Sequence, residues 1–340
     1  MATIADVARH AGVAASTVSY VLSGKRPVAA DTRRRVLDSI KLLNYHPHAG
    51  AQALASSRSN VLAMFVPLRP DLYVPVMMEI AIGVTTAARK HGYDVLLLTS
   101  EEGTDRVVGS ARSDAVILTD VTMDDPRPPA LRAAGVPAVL IGVPSDPAGL
   151  DCVDLDFAAA GRHCVEHLAG LGHREIAFIG EAEAVYRRRA GFAERTLAGV
   201  RSAAADAGVG LVHRPCESSF EAAAGVLARV LEERPRTTGL IVQNEAVVSP
   251  LLSLLRTAGR AVPEDVSIVA LCPDQLAEQT SPRLTSVTMP ATELGVRAVA
   301  ALMRRLREDG AGSGRVDLLP PVLTIRGSTT VRSEKSEQLP

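Results

Sequence analysis

Apolar residues near the start of the chain recur at helical spacing, with Val7, Ala8 and Ala11 in one group and Val18, Val21 and Leu22 in a second. The spacing predicts a helix from Ile4 to Ala11, a tight turn at Gly12 and a second helix from Ala14 to Leu22. With Val13, these residues can close a small core, which leaves Ala15, Ser16, Ser19 and Tyr20 on the outer face. Two short helices joined by a glycine turn make a helix-turn-helix, whose second helix enters the DNA major groove with its N-terminal residues at the base edges. Thr3 stands at the cap of the first helix, with Asp6 three residues on, close to a capping box. A third helix is predicted over Asp31 to Leu43, with Val36, Leu37, Ile40 and Leu43 facing the first two helices and Arg33, Arg34 and Lys41 on or near the solvent side. Asn44 suits a left-handed helix end, and Tyr45-His46-Pro47 stops the helix.

Past residue 60 the pattern changes. Val61 to Val66 is a continuous apolar run, suited to a strand buried on both faces. A helix (Val76 to His91) and strands at Asp94 to Leu98, Ala115 to Leu118 and Ala138 to Ile141 follow. A second series then begins: helix Ala158 to Ala169, strand Ile176 to Ile179, helices Arg195 to Ala207 and Phe220 to Glu232, strand Gly239 to Val242, helix Ala246 to Ala258 and strand Val266 to Ala270. Alternating strands and helices imply an α/β fold with doubly wound parallel sheets. Two such series imply two lobes, with a ligand cleft at the C-terminal strand ends. Between head and body, residues 48–59 are small and helix-capable, then linker-like. A helix this short is unstable alone, so folding on DNA would couple the two parts.

Composition adds limits. At 340 residues the chain suits about two or three domains. With 47% hydrophobic residues, five Tyr, five Phe and no Trp, its core must be aliphatic. The net charge of -1 hides an asymmetry: residues 1–58 carry eight Lys/Arg against three acids (+5), and the remainder carries 29 against 35 (-6). A basic head on an acidic body is the pattern of a DNA-binding arm on a regulatory domain. Thr3-Ile4-Ala5-Asp6 reads as a helix start rather than a secretory signal, and no apolar run approaches the ~20 residues of a membrane span, so a cytoplasmic protein is expected. Cys152, Cys164, Cys216 and Cys272 form no C-x-x-C pair, which argues against disulfides and zinc. His163-x-x-x-His167 beside Cys164 has metal-pair spacing, but no second ligand cluster accompanies it, so no metal or cofactor is expected.

The motifs Thr3-Ile4-Ala5-Asp6-Val7-Ala8, Ala11-Gly12-Val13, Ser16-Thr17-Val18-Ser19, Val21-Leu22-Ser23-Gly24, Thr32 to Leu37 and Tyr45-His46-Pro47 occur in order and at the spacing of one family. The chain resembles the lactose-repressor (LacI/GalR) family of bacterial regulators. His167 to Gly180, Val262 to Val269, Leu284 to Val287 and Arg326 to Thr329 extend the likeness over about residues 3–330. The resemblance implies a periplasmic-binding-protein-like body with crossed connections, in which the helix Ala291 to Arg307 returns to the first lobe and Val322 to Ile325 to the second. The expected division is a head at 1–47, a hinge helix and linker at 48–59, a body at 60–332 and a disordered tail at 333–340. Within the body, the first lobe is expected at about 60–156 and 283–316, and the second at 157–282 and 317–332.

The family's base-reading positions fall on Ala15, Ser16 and Tyr20. Ala14 replaces the usual Ser and Tyr20 the usual Arg, which exchanges a bidentate guanine reader for one hydroxyl and a ring. Thr17, Ser19 and Ser23 are candidates for phosphate or groove-edge contacts, and Thr3, Lys25 and Arg26 are further candidate DNA-binding residues. Leu54 matches the family's lever, a side chain wedged between base pairs in the minor groove, with Ala51 and Gln52 beside it. For the cleft, Asn244-Glu245 stand where the family has Asn-Asp. Cys272 replaces the family's ligand Asp, and Asp274 is two residues on. The ligand Arg of the family precedes a Gly by three residues. Counted from Gly199 that offset gives Thr196, so the neighbouring Arg195 is the candidate. Tyr73 and Asp120 complete the expected effector set.

The reading is a homodimeric, ligand-responsive transcription regulator, expected to repress from a palindromic operator in double-stranded DNA. Its effector would be a sugar or another metabolite, and not a common sugar, since the cleft departs from the sugar-binding pattern. Two rivals are a cytoplasmic small-molecule-binding protein of the solute-binding fold, disfavoured by the basic head, and an α/β enzyme, disfavoured by the lack of any nucleophile or phosphate motif.

Overall fold

A computed structural model of the chain describes residues 2–23, 26–45, 59–69, 71–99, 113–307 and 314–332. These fall into two compact units divided near Val61.

The N-terminal unit is built from α1 (Ile4–Ala11), α2 (Ala15–Ser23) and α3 (Ala30–Leu42). Thr3 and Asp6 close a full capping box on α1: Thr3 Oγ1 accepts from the Asp6 N–H, and the Thr3 N–H donates to Asp6 Oδ2 at 2.9 Å. Gly12 ends the helix at φ 65°, a left-handed conformation that glycine adopts without a Cβ clash. Val7, Ala8, Ala11, Val18, Val21 and Val36 form the core, flanked by Ile4, Val13, Leu22, Ile40 and Leu43. One expected core residue is displaced. Leu37 is 41% exposed, because the inward arc of α3 is taken by Val36 and by Ser39, whose hydroxyl meets His10 Nδ1 at 2.9 Å. Asn44 has the expected positive φ.

The second unit holds two six-stranded sheets. The first has the order β11-β5-β4-β3-β1-β2, built from β1 (Val61–Phe65), β2 (Asp94–Leu98), β3 (Ala115–Leu118), β4 (Ala138–Ile141), β5 (Asp151–Leu155) and β11 (Val316–Leu319). The β1–β3, β3–β4, β4–β5 and β5–β11 pairs are parallel. Leu62 and Met64 face one core with α4 (Val74–Arg89) and α12 (Ala291–Arg307), while Ala63 and Phe65 face another with α5 (Arg127–Ala133). The second sheet runs β12-β10-β9-β8-β6-β7, from β6 (Glu175–Gly180), β7 (Gly210–Pro215), β8 (Gly239–Val242), β9 (Ser267–Cys272), β10 (Thr285–Thr288) and β12 (Leu323–Thr324). It is parallel except where β12 meets β10. Around it lie α6 (Phe157–Gly170), α7 (Glu183–Arg187), α8 (Gly191–Asp206), α9 (Phe220–Glu233), a 3-10 turn (Glu245–Val247) leading into α10 (Val248–Thr257), and α11 (Asp274–Gln279).

Glycines allow both helix pairs to pack backbone to backbone. A Cβ on Gly83 of α4 would strike the Thr292 carbonyl oxygen of α12, and one on Gly199 of α8 the Ala158 carbonyl oxygen of α6. The expected lobe boundaries need correction at two strands. β10 pairs in register with Val269 to Cys272, so residues 285–288 belong to the second lobe and the chain crosses back after them. β11 pairs with Cys152 to Leu155, so residues 317–319 stay in the first lobe. The β10 sequence Thr-Ser-Val-Thr has no apolar run to announce it; its polar groups are instead met by Ser328, Arg326 and Thr329. Among the described residues no helix is long and apolar enough to cross a membrane.

Candidate functional site

On the head, α2 presents Ala15 and Ser16 exposed and Thr17, Ser19 and Tyr20 half-buried. The Arg26 guanidinium carbon lies 5.2 Å from the Tyr20 ring centroid, within cation–π range. Thr3 is an exposed cap residue whose hydroxyl is engaged with Asp6. Ser23 is the last residue of α2. Lys25, Ala51, Gln52 and Leu54 lie outside the described residues. Arg33, Arg34, Arg35 and Lys41 are exposed on α3.

In the body, a cavity of about 130 Å3 opens between the two lobes. Engineered cavities of about 150 Å3 hold one benzene ring. Its first-lobe wall includes Asp71, Tyr73, Met77, Asp120 and Asp154; its second-lobe wall includes Glu181, Arg188, Phe192, Gln243, Glu245 and Leu271. Most of these follow or end strands on the C-terminal side: Asp120 after β3, Glu181 after β6, Gln243 and Glu245 after β8. Ligands of open α/β sheets collect there because the loops are free to supply polar groups.

Arg188 ties the lobes together. Its guanidinium pairs with Asp71 and lies 3.3 Å from Asp120, which also pairs with Arg69. Beside it the backbone is continuous across the seam: the Gly191 N–H donates to the Val121 carbonyl at 3.0 Å, and Met123 N–H to the Arg189 carbonyl at 2.8 Å.

The second-lobe wall is rich in acceptors. Gln243 is 3% exposed, and its Nε2 donates to Thr196 Oγ1 at 3.1 Å. Thr196 Oγ1 itself donates to the Phe192 carbonyl, which fixes the amide orientation and leaves Gln243 Oε1 buried without a partner. Glu181 is 6% exposed, and no described group hydrogen-bonds its carboxyl. Burial first, then the neighbouring Glu245, raises its pKa well above the carboxylate range. Burial likewise lifts Glu245 to about 8 and Asp154 to about 7. Tyr73 is raised by burial and then by the Glu245 charge.

Of the effector candidates, Tyr73 and Asp120 line the cavity, whereas Arg195, Asn244 and Asp274 do not. The Asn244 amide donates to the Cys216 carbonyl at 2.8 Å and its oxygen caps Ala246, so it shapes the loop after β8. Asp274 is held by Arg326 at 2.7 Å and by Thr288. Arg195 sits on α8 outside the lining, from where its charge lowers the Asp154 pKa against the effect of burial. Arg188 occupies the cavity instead. It too precedes a glycine by three residues, Gly191, so the offset was present in the sequence in two registers. The histidine pair does not converge with Cys164. His167 Nε2 meets Thr329 Oγ1 at 3.0 Å, while Cys164 is fully buried in the core of the second lobe.

A basic helix-turn-helix unit on a two-lobed α/β body with an interlobe cavity defines a ligand-linked DNA-binding regulator by architecture. The comparisons place it further. Bacterial regulatory proteins of the lacI family match residues 3–48, and the periplasmic binding protein-like domain matches residues 165–329. The transcriptional regulator CelR of Thermobifida fusca is 31% identical over 88% of this chain and 90% of its own length. The repressor PurR of Photobacterium profundum is 30% identical over 96% and 98%. The solved lac repressor dimer bound to operator and an anti-inducer superposes with a TM-score of 0.83 at 25% identity, covering 97% of this chain and 99% of that one. A CelR–cellobiose complex gives 0.69 at 28% identity, covering 96% and 100%. The chain belongs to the LacI family of transcription regulators.

Proposed function

We propose that the chain is a ligand-responsive repressor that binds a palindromic operator as a dimer and takes its effector between the lobes. The cavity carries the reading, because groups from both lobes line it and Arg188 bridges them. A ligand there must alter the interlobe contacts, and a ligand that binds one lobe arrangement better shifts the equilibrium toward it. Binding, not catalysis, is the role of the site, and the protein acts in the cytoplasm where an operator is accessible. Relatives support the parts separately: the lac repressor structure holds a dimer on operator, and the CelR structure holds cellobiose.

On the head, Ala15, Ser16 and Tyr20 are the proposed base readers. Thr17, Ser19, Ser23, Lys25 and Arg26 are the proposed backbone contacts, with Ala51, Gln52 and the Leu54 wedge assigned from sequence alone. Affinity for duplexes from the gene's own upstream region, measured against random duplexes at several salt concentrations, tests the reading. A head that neutralises phosphates must show a steep salt slope on both and a preference for one. A flat salt response overturns DNA binding.

A further inference from the structure

The effector class can be narrowed, on the footing that the interlobe cavity is the effector site. We propose that the cavity is built for an organic cation, a compact amine-bearing molecule whose ammonium sits on Glu181, Glu245 and Gln243 Oε1.

The charge distribution in the wall comes first. Five carboxyl groups line the cavity (Asp71, Asp120, Asp154, Glu181 and Glu245) and one cation, Arg188, lines it with them. Arg188 and Arg69 engage Asp71 and Asp120. Asp154, 4% exposed, accepts from the Leu155 N–H at 3.0 Å and feels Arg195 through space. Glu181 and Glu245 are left as neighbours with no ion pair among the described residues. Glu181 is buried and Glu245 half-buried, and Arg188 reaches Glu181 only through space. Two neighbouring carboxyls without an ion pair are costly when ionised, and the cost is relieved either by protonation or by a positive ligand.

An independent sign comes from Gln243. Gln243 lines the cavity, and its buried Oε1 has no donor among the described residues, while its Nε2 is held by Thr196. An orphaned buried acceptor beside two unpartnered carboxyls calls for a group with several N–H donors and positive charge. An ammonium supplies three donors and one charge. A neutral polyol can donate to the same oxygens but brings no charge to favour their ionised form. Tyr73, Met77, Phe192 and Leu271 also line the cavity and can cover the carbon body of the ligand, with aromatic faces available to the cation. The cavity volume suits one six-membered ring or a short alkyl chain.

Calorimetric titration of the full-length protein with matched pairs tests this. The pairs are glucosamine against glucose and putrescine against 1,4-butanediol, each ammonium replacing a hydroxyl of similar size. At least one ammonium member should bind ten-fold or more tightly than its neutral partner. Because burial holds the two acids protonated, its binding should release protons, read as a heat that changes with the ionisation enthalpy of the buffer. Glu181→Gln and Glu245→Gln keep the shape and should each reduce the ammonium preference at least five-fold, with the far-ultraviolet dichroism and the cooperative melt confirming folding. Equal or tighter binding of the neutral members, binding of none of the four, or an ammonium preference that survives in the double Gln variant overturns the inference. Operator binding followed in parallel separates this failure from that of the regulatory reading. A protein that still binds operator and releases it to a neutral ligand keeps the reading and loses the cation, whereas one that never binds operator loses the reading itself.

Discussion

Arg188 Nη2 stands 3.3 Å from Asp120 Oδ1 across the cleft, joining the C-terminal end of α7 in one lobe to the loop after β3 in the other. The same guanidinium holds Asp71, so one side chain organises two acids of the opposite lobe.

Removing it should be costly. Arg188→Ala leaves Asp71 and Asp120 with one cation fewer in a poorly hydrated cleft. Breaking a buried pair costs about 3–5 kcal/mol, and the lower end is expected here because Asp120 keeps Arg69. Urea melts should show this loss, and Asp71→Asn in the Arg188→Ala background should restore part of it. A melt unchanged by Arg188→Ala would mean the interlobe pair contributes nothing in solution.

Glu245 gives the protein a pH dependence of a specific sign. Its folded pKa is raised to about 8 by burial, from an ordinary value of 4.5. Between those values the folded state holds a proton that the unfolded state has lost, so the stabilising contribution present at acidic pH is lost as pH rises through about 8. Glu245→Gln removes this dependence. The variant should match the parent near pH 4.5 and become progressively more stable than it up to about pH 8, then level off. Thermal melts across that range check the slope, and a constant difference between the two proteins would contradict the assignment.

His213 acts in the opposite sense. Burial, followed by Arg201 and Arg214, lowers its pKa from 6.5 to about 4. The unfolded chain takes up a proton below pH 6.5 that the folded ring refuses, so stability is lost as pH falls from 6.5 toward 4. His213→Gln should flatten this acid limb in the same melts while leaving the Glu245 contribution at higher pH unchanged.

Gly199 is a packing requirement rather than a turn. A methyl group there meets the Ala158 carbonyl oxygen, which belongs to a helix backbone and cannot rotate away. Gly199→Ala should cost about 1–3 kcal/mol as α6 and α8 separate, despite the better helix propensity of Ala. Gly225→Ala on α9, where nothing lies within 4 Å of the added atom, is the control and should be neutral or stabilising.

Tyr20 tests the head. Replacing it with Arg restores a side chain able to pair bidentately with guanine, worth about 1–3 kcal/mol of discrimination per base. Selection from random duplexes should then enrich guanine at one half-site position with little change in salt slope. An unaltered selected motif would show that Tyr20 does not face the bases.

The helix-turn-helix was legible because its code is local. Capping at Thr3, the turn at Gly12 and the apolar periodicity through Val21 act within a few residues, and α1 follows the predicted span from Ile4 to Ala11. Buried strands such as β3 and β4 were equally plain, being short and wholly apolar. β5 and β10 were not, since their Asp, Thr and Ser residues are satisfied by partners far along the chain.

The sequence by itself determined the class of each unit, the order of its main elements and the exposed face of α2, because periodicity reports which side of an element avoids water. Only the tertiary structure decided which sheet received β10 and β11, and that Arg188 rather than Arg195 reaches the cleft. It also turned Asn244 toward Cys216 and Asp274 toward Arg326, leaving Gln243 and Glu245 at the cavity. The physical reason is that a polar side chain points to whichever partner offsets its desolvation, and those partners lie tens of residues away, in another strand or the opposite lobe.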